Sequence, residues 1–214
     1  MRVQWPINKT CYNKELKMTE AEKIGEVLEA STTGFTAQCY ELHQPPALGS
    51  LVKTRDGEIE LYGLVYNAAT TGLDPGRRPI ARGKDEEDEE AVFRTSPQLL
   101  KLLKSEFSVI VVSHRKDGQL KPYLPPRPAR IHGFVYPCSD DEIRNYSHSL
   151  GFLNIIVGSG LPLPTEELIA AALRQMSRQH KDGQAFLVAA GKELATRLSG
   201  DYGRLKSILE RLKV

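Results

Sequence analysis

The chain has 214 residues, of which 40% are hydrophobic and 26% charged. These proportions are typical of folded globular proteins and exclude wholesale disorder and fibrous architectures. The net charge of +2, from 29 basic and 27 acidic residues, is too small for a general electrostatic attraction to nucleic acid or anionic membrane. Because no apolar run approaches the roughly 20 residues that span a bilayer, we expect a soluble protein without membrane insertion.

Residues 1–18 are polar and aperiodic, which predicts a flexible leader and makes Met18 a candidate natural start. This segment lacks the apolar stretch of a secretory signal. Three widely spaced cysteines, Cys11, Cys39 and Cys138, encode neither a disulfide framework nor a thiolate metal site. We therefore expect a cytoplasmic protein without a bound cofactor.

Four short β-rich runs follow, separated by glycine- and proline-containing turns. They cover residues 24–30, 35–40, 51–54 and 59–66. The Asp56-Gly57 pair predicts a tight hairpin with a type I′ turn, whose two central residues both need positive φ. Strands at this spacing predict a sandwich or a small barrel.

The next stretch interrupts the strands with an acidic run of six residues, Asp85, Glu86, Glu87, Asp88, Glu89 and Glu90. Because six adjacent carboxylates repel one another, the run predicts a mobile loop. Such a loop serves either solubility or contact with a basic partner surface. A helix is predicted over residues 96–104, with Ser96 as N-cap and Pro97 at the first helical position.

Strands are predicted again over residues 107–113, 120–123, 131–136 and 152–157, with a short helix opening at Ser139. The proline-rich stretch between them is suited to a barrel edge. It carries the best nucleic-acid candidates, Lys121, Tyr123, Arg127 and Arg130. Lysine and arginine contact phosphates while a tyrosine ring stacks on a base. The competing interpretation is a solvated barrel edge.

After Gly158-Ser159-Gly160 the apolar spacing becomes helical and predicts three helices from Thr165 onward. The glycine turn is either an anion site at a helix N-terminus or a hinge. Because the segment Leu161 to Pro164 intervenes and a third glycine is absent, a hinge is favoured.

No catalytic or metal-ligating residues are predicted. The spacing of His114, His132, His148 and Cys138 matches no zinc pattern. Ser113-His114 and His148-Ser149 supply triad-type residues near Asp140 and Asp141, but the sequence has no nucleophile elbow. We expect a protein that is not an enzyme, although a hydrolase site formed only by tertiary convergence stays open.

The glycines and alternating apolar residues of the first half have a family pattern. The segments that carry it are Ile24–Val27, Ser31–Thr33, Phe35, Leu48–Val52, Gly57 and Leu61–Val65. They resemble the HAS barrel, the N-terminal barrel shared by HerA-type DNA translocases and F-type ATP synthase subunits. The resemblance implies a small antiparallel β-barrel. Together with the three helices predicted from the apolar spacing, it gives an α+β fold in which the barrel is followed by a C-terminal three-helix tail. We expect a HAS-like barrel over 19–160, with an acidic loop and an inserted helix, and a helical domain over 161–214.

In that family the barrel usually precedes a nucleotide-binding motor and helps to assemble a ring or dock partners. The motor motif is missing here, since Ala189–Glu193 lacks both the earlier glycine and the Ser or Thr of a P-loop. The resemblance thus implies a non-enzymatic interaction or assembly factor that docks on a larger protein complex, with an ATPase among its candidate partners. The alternative is a nucleic-acid-associated protein beside a HerA-type DNA-processing ATPase.

Overall fold

The computed structural model describes residues 22–212, so the predicted leader 1–18 and the candidate start Met18 lie outside the described residues. The strands are β1 Gly25–Ala30, β2 Gly34–Cys39, β3 Leu51–Asp56, β4 Ile59–Gly72, β5 Leu103–Lys116, β6 Gln119–Lys121 and β7 Phe134–Pro137. The helices are α1 Glu89–Thr95, α2 Asp140–Ser147, α3 Leu153–Val157, α4 Thr165–Ser177, α5 Gly183–Arg197 and α6 Tyr202–Leu212.

Six strands close into an antiparallel barrel in the order β1-β2-β5-β4-β3-β7, with β7 returning to β1. The short strand β6 pairs only with β5. Register shifts in β1 and β4 mark bulges, and bulges supply the bending that closure requires. The prediction of a small antiparallel barrel within an α+β protein is confirmed.

The barrel interior is filled by alternate residues of its strands. In β2, Phe35, Ala37 and Cys39 are buried while their neighbours are partly exposed. All six barrel strands contribute to this apolar cluster, which includes Val27, Val52, Leu61, Val109 and Val135. The two-residue period of a half-buried strand therefore sets which side chains fill the barrel.

A second apolar cluster lies on the outer wall of β3, β4 and β5, against the helices. Leu51, Leu64 and Ile110 of this wall join Leu168 and Leu173 of α4 in one cluster. It also takes in residues of α2, α3, α5 and α6, so it is continuous across residue 160. Helices α1, α2 and α3 precede that residue and α4, α5 and α6 follow it. No helix in the described part of the chain is long and apolar enough to cross a membrane.

Two tight hairpins differ in their turn chemistry. The predicted hairpin between β3 and β4 is confirmed, but its central residues are Gly57 and Glu58 because Asp56 still pairs with Ile59. Only Gly57 has a positive φ, 59°, so the type I′ assignment is wrong. The β5–β6 turn does have two positive values, 52° at Asp117 and 74° at Gly118.

Two predicted elements are wrong. The candidate strand over 152–157 is helix α3, which buries Leu153 and Ile156 against the neighbouring helices. The predicted helix over 96–104 is only a 3₁₀ turn, Pro97–Lys101, and Ser96 makes no side-chain cap bond. Its last residues are taken into β5, because Leu103 pairs with Gly72 of β4.

The predicted loop over the acidic run is also partly wrong. Asp88 is the N-cap of α1, and its carboxylate accepts from the N–H of Ala91 at 2.6 Å. Glu89 and Glu90 occupy the first helical turn, where negative charge is stabilised by the helix dipole. The short helix predicted at Ser139 is confirmed, since Ser139 and Glu142 form a capping box at the start of α2.

Candidate functional site

The four predicted nucleic-acid residues lie close together in the chain. Lys121 is the last residue of β6, and the other three lie in the loop that joins β6 to β7. The Nζ of Lys121 donates to Gln119 Oε1 at 2.7 Å. Tyr123 is 56% exposed, and its ring meets His114 edge to face with 5.2 Å between centroids. Arg127 pairs with Asp56 at 3.1 Å, whereas Arg130 is exposed and has no ion pair among residues 22–212. Thus one of the three cations is neutralised within the chain.

The acidic run lies in the insertion that joins β4 to β5. Arg94 pairs with Asp88 at 3.2 Å and with Glu90 at 3.8 Å. Within the described part of the chain, the other four carboxylates have no ion pair: Asp85, Glu86, Glu87 and Glu89. The run therefore presents mostly uncompensated negative charge to solvent.

The structure does not assemble the triad-type residues named from the sequence. Ser113 donates to the Tyr146 hydroxyl at 3.2 Å, and His114 Nδ1 lies 3.1 Å from the Tyr123 carbonyl oxygen. His148 is exposed. In neither pair does the structure show a hydrogen bond between the serine hydroxyl and the histidine ring, as a nucleophile and its base require.

A different pair, Ser147 and His180, does come together. Their Oγ and Nε2 atoms are 2.7 Å apart. Both residues line a pocket of about 400 Å³, together with Phe186. The Ser147 hydroxyl donates to the Arg144 carbonyl oxygen at 2.8 Å. Burial lowers the pKa of His180, as does electrostatic repulsion from the neighbouring His148 and Arg144 side chains. No carboxylate between residues 22 and 212 hydrogen-bonds His180, so the third member of a triad is not provided by this part of the chain.

The glycine turn Gly158-Ser159-Gly160 borders a groove of about 600 Å³ beside the β1–β2 turn. Ser159 Oγ donates to the carbonyl oxygen of Ile156, in the last turn of α3, at 2.7 Å. The charged lining residue is Glu29, and helix α4 begins only at Thr165. This geometry does not favour an anion.

An exposed aromatic pair lies on the barrel wall formed by β1 and its neighbours. Tyr40 is 44% and Phe134 42% exposed, and their rings meet at a steep angle with 6.5 Å between centroids. The Nζ of Lys23 lies 4.2 Å from the Phe134 centroid and 5.3 Å from that of Tyr40. Together with Glu26 and His132, these three residues are named the aromatic wall patch.

Hydrogen bonds organise the polar side of the aromatic wall patch. Glu26 accepts from His132 Nδ1 at 2.5 Å and from the Tyr40 hydroxyl at 3.1 Å. These two bonds, His132 first, lower the pKa of Glu26. His132 has a φ of 64°, a left-handed conformation that costs energy in a residue with a side chain.

Sequence reasoning missed this patch because strand pairing creates it. Phe134 lies opposite Glu26 in the β1–β7 ladder, and the Tyr40 N–H donates to the Ile24 carbonyl oxygen at 3.1 Å. None of the residues of β1 or β2 belongs to the cluster that the helices cover. Tyrosine and phenylalanine are enriched at protein interfaces, whereas lysine and glutamate are depleted there.

The described residues contain no group of three or more His, Cys, Asp or Glu side chains that could hold a metal ion. Cys39 and Cys138 are both buried. Burial raises the pKa of the Cys39 thiol to about 11 and raises that of Cys138 as well. Burial therefore disfavours the thiolate, the reactive form, at both cysteines.

The sequence matches no protein-family model, and no curated protein matches it either.

Proposed function

We propose that this chain is a non-enzymatic interaction or assembly factor of the cytoplasm, which docks on a larger protein complex through its barrel. The observation that carries the proposal is the aromatic wall patch, where Tyr40 and Phe134 are exposed on a wall that none of the helices between residues 22 and 212 covers. Because both residues are already more than half buried, covering the remaining exposed part against a partner yields about 1 kcal/mol each, and exposed apolar patches on folded proteins commonly mark binding sites.

The sequence resemblance supports the same function. A HAS-like barrel corresponds to the docking part of that family's architecture. In this proposal the three-helix tail over 161–214 adds a second contact to the complex. The uncompensated carboxylates of the acidic run, Asp85 to Glu90, add a third contact for a basic partner surface, and an ATPase is the partner class that the resemblance favours.

The test uses the tagged full-length chain purified from native extract. We expect the wild type to retain a stoichiometric partner. The double variant Tyr40→Ala and Phe134→Ala should bind that partner with an affinity at least about tenfold lower. Both residues are exposed, so the barrel should keep its circular dichroism spectrum and thermal stability. The matched control is Tyr123→Ala, since Tyr123 is 56% exposed and lies outside the patch, the helical tail and the acidic run. A lone monomer, or a partner indifferent to the double variant, would refute this proposal.

A second candidate function is nucleic-acid binding beside a HerA-type DNA-processing ATPase. The observation that favours it is the exposed ring of Tyr123 on the segment that carries Lys121 and Arg130, a combination suited to stacking on bases and contacting phosphates. Binding of labelled single-stranded and double-stranded DNA, titrated with salt, distinguishes the two functions. If the chain binds nucleic acid, its affinity for DNA should fall steeply as the salt concentration rises. The dependence of affinity on salt should be shallower for Arg130→Ala. A DNA affinity that does not change with salt concentration would eliminate this function.

A further inference from the structure

Strand β4 extends well beyond the strand beside it. Its pairing with β3 ends at Leu64, and the last main-chain bonds on that side join Val65 to Gly49 and Ser50. From Asn67 to Gly72 it pairs with β5 alone. Among residues 22–212 nothing hydrogen-bonds the opposite edge of this segment, which is named the free edge.

The ladder to β5 shows which groups of the free edge point outward. The N–H of Leu73 donates to the Leu102 carbonyl oxygen at 2.8 Å. Because antiparallel strands bond through alternate residues, Ala68 and Thr70 direct their N–H and C=O groups away from β5. The hydroxyls of Thr70 and Ser105, which face each other in the register, are 2.7 Å apart, as expected for a closely spaced pair that lacks main-chain bonds. At least two donors and two acceptors are thus presented in strand geometry.

The free edge lacks most of the features that normally prevent edge pairing over Asn67–Thr71, whereas at its end a Cβ on Gly72 would lie 3.0 Å from the Arg77 carbonyl oxygen of the following turn. Its residues Asn67, Ala68, Ala69, Thr70 and Thr71 are all exposed. None of them is charged or a proline, and the register shifts of β4 end before them, between Val65 and Asn67. Natural edge strands are usually blunted by lysine, proline, a bulge or a covering loop. The free edge is therefore a template for one more strand.

We propose that this strand is the free edge of a second copy of the chain, paired antiparallel about a two-fold axis. In such a symmetric contact each residue pairs with the same residue of the second copy, or with a residue one or two positions away. Like charges placed opposite each other would weaken the pairing, and Asn67–Thr71 carries none. The small side chains of Ala68 and Ala69 allow close approach of two ribbons. This contact is separate from the aromatic wall patch, so it stands or fails independently of the docking function.

The first test measures the association of the full chain by analytical ultracentrifugation, from low micromolar to near millimolar concentration. We expect a reversible dimer that Ala68→Pro weakens by at least about tenfold, because the proline ring replaces an outward N–H twice in each symmetric dimer. The bonds to β5 are kept, so the far-ultraviolet circular dichroism should be unchanged. The control Ala68→Thr retains the N–H and should dimerise like the wild type. A wild type that is monomeric throughout would overturn the proposal.

A charge exchange then identifies the occupant. Ala68→Lys and Ala68→Glu should each be monomeric, since each places two like charges across the two-fold axis. An equimolar mixture of the two should form a heterodimer, with a mass of two chains. A mixture that stays monomeric, or a dimer that Ala68→Pro leaves intact, would overturn the proposed pairing.

Discussion

Glu142 joins helix α2 to the barrel wall. Its carboxylate accepts hydrogen bonds from Lys53 Nζ of β3 and from the N–H and hydroxyl of Ser139, at 2.9 and 3.1 Å for the latter two. Burial raises the pKa of this carboxyl, but the donors outweigh burial and hold the pKa below its ordinary value of 4.5. The folded chain therefore binds this proton less tightly than the unfolded chain does.

Replacing Glu142 with Gln should lower the free energy of unfolding by about 1 kcal/mol at pH 7, because the pairing with Lys53 is lost from a half-buried site. The depressed pKa means that this stability is fully present above the unfolded value of 4.5 and lost as the pH falls through the folded pKa. Urea denaturation at neutral and acidic pH measures the difference between wild type and variant. We expect that difference to disappear in acid, where the wild-type carboxyl is also neutral.

The exposed turn residue Glu58 provides the control for this prediction. Glu58→Gln removes the same charge from a side chain that has no ion pair among residues 22–212, and it should change stability little at either pH. A deficit of Glu142→Gln that persists unchanged in acid would contradict the role given to the ionised carboxylate.

Residue-scale predictions from the sequence succeed where both partners are near in the chain. The capping of α2 joins Ser139 to Glu142, three positions away, and Ser at the N-cap followed by a Glu is a readable signal. Tyr40 and Phe134 meet only because β7 pairs with β1. Ser147 and His180 are likewise separated by 33 positions. No local pattern encodes such contacts.

At the scale of elements, helix α4 packs against the loop that precedes β3. Gly49 has a φ of 79°, and a Cβ on it would lie 2.4 Å from the main-chain nitrogen of Ala172 in α4. Gly57 also has a positive φ, 59°, but a Cβ there would meet nothing within 4 Å. The two glycines separate the cost of the backbone conformation from the cost of the helix contact.

Gly57→Ala should cost about 1 kcal/mol of unfolding free energy, the penalty of a left-handed conformation alone. Gly49→Ala should cost at least about 3 kcal/mol, because main chain on both sides has to move as well. Chemical denaturation of the two variants gives the comparison. Equal losses would show that α4 does not press on Gly49.

The elements that the sequence misassigns are those that tertiary contacts decide. Residues 152–157 form a short apolar run, and such a run does not by itself distinguish a buried strand from a buried helix. Helix α3 results because Leu153 and Ile156 face the other helices. Leu103 and Lys104 follow a helical spacing of leucines, yet pairing with β4 draws them into β5. Pairing with a long neighbouring strand outweighs a weak local propensity.

At the scale of the whole molecule, barrel and helices share apolar surface. Leu64 and Ile110 of the barrel wall lie in the same cluster as Leu173 of α4 and Ile208 of α6. We therefore expect one cooperative thermal transition, with equal calorimetric and van't Hoff enthalpies, despite the sequence-based division at residue 160. Scanning calorimetry of the full chain checks this. Two resolved transitions would mean that the helices unfold independently of the barrel.

The sequence predicts that a small barrel forms but not how it closes. Short strands with regular turns between residues 24 and 66 indicate an antiparallel sheet. Closure depends on β7, which is inserted between β1 and β3 although it follows them by many residues. Long-range insertion of this kind leaves no periodic signal, and it is the step that positions the aromatic wall patch.

Hydrogen–deuterium exchange tests the docking account most directly, by comparing the isolated chain with the chain in its purified complex. Docking through the aromatic wall patch predicts that the complex protects the amides of β1, the end of β2 and β7, around Tyr40 and Phe134, in addition to any protection on the helical tail. Protection confined to residues 121–130, with the aromatic wall patch unchanged, would contradict it.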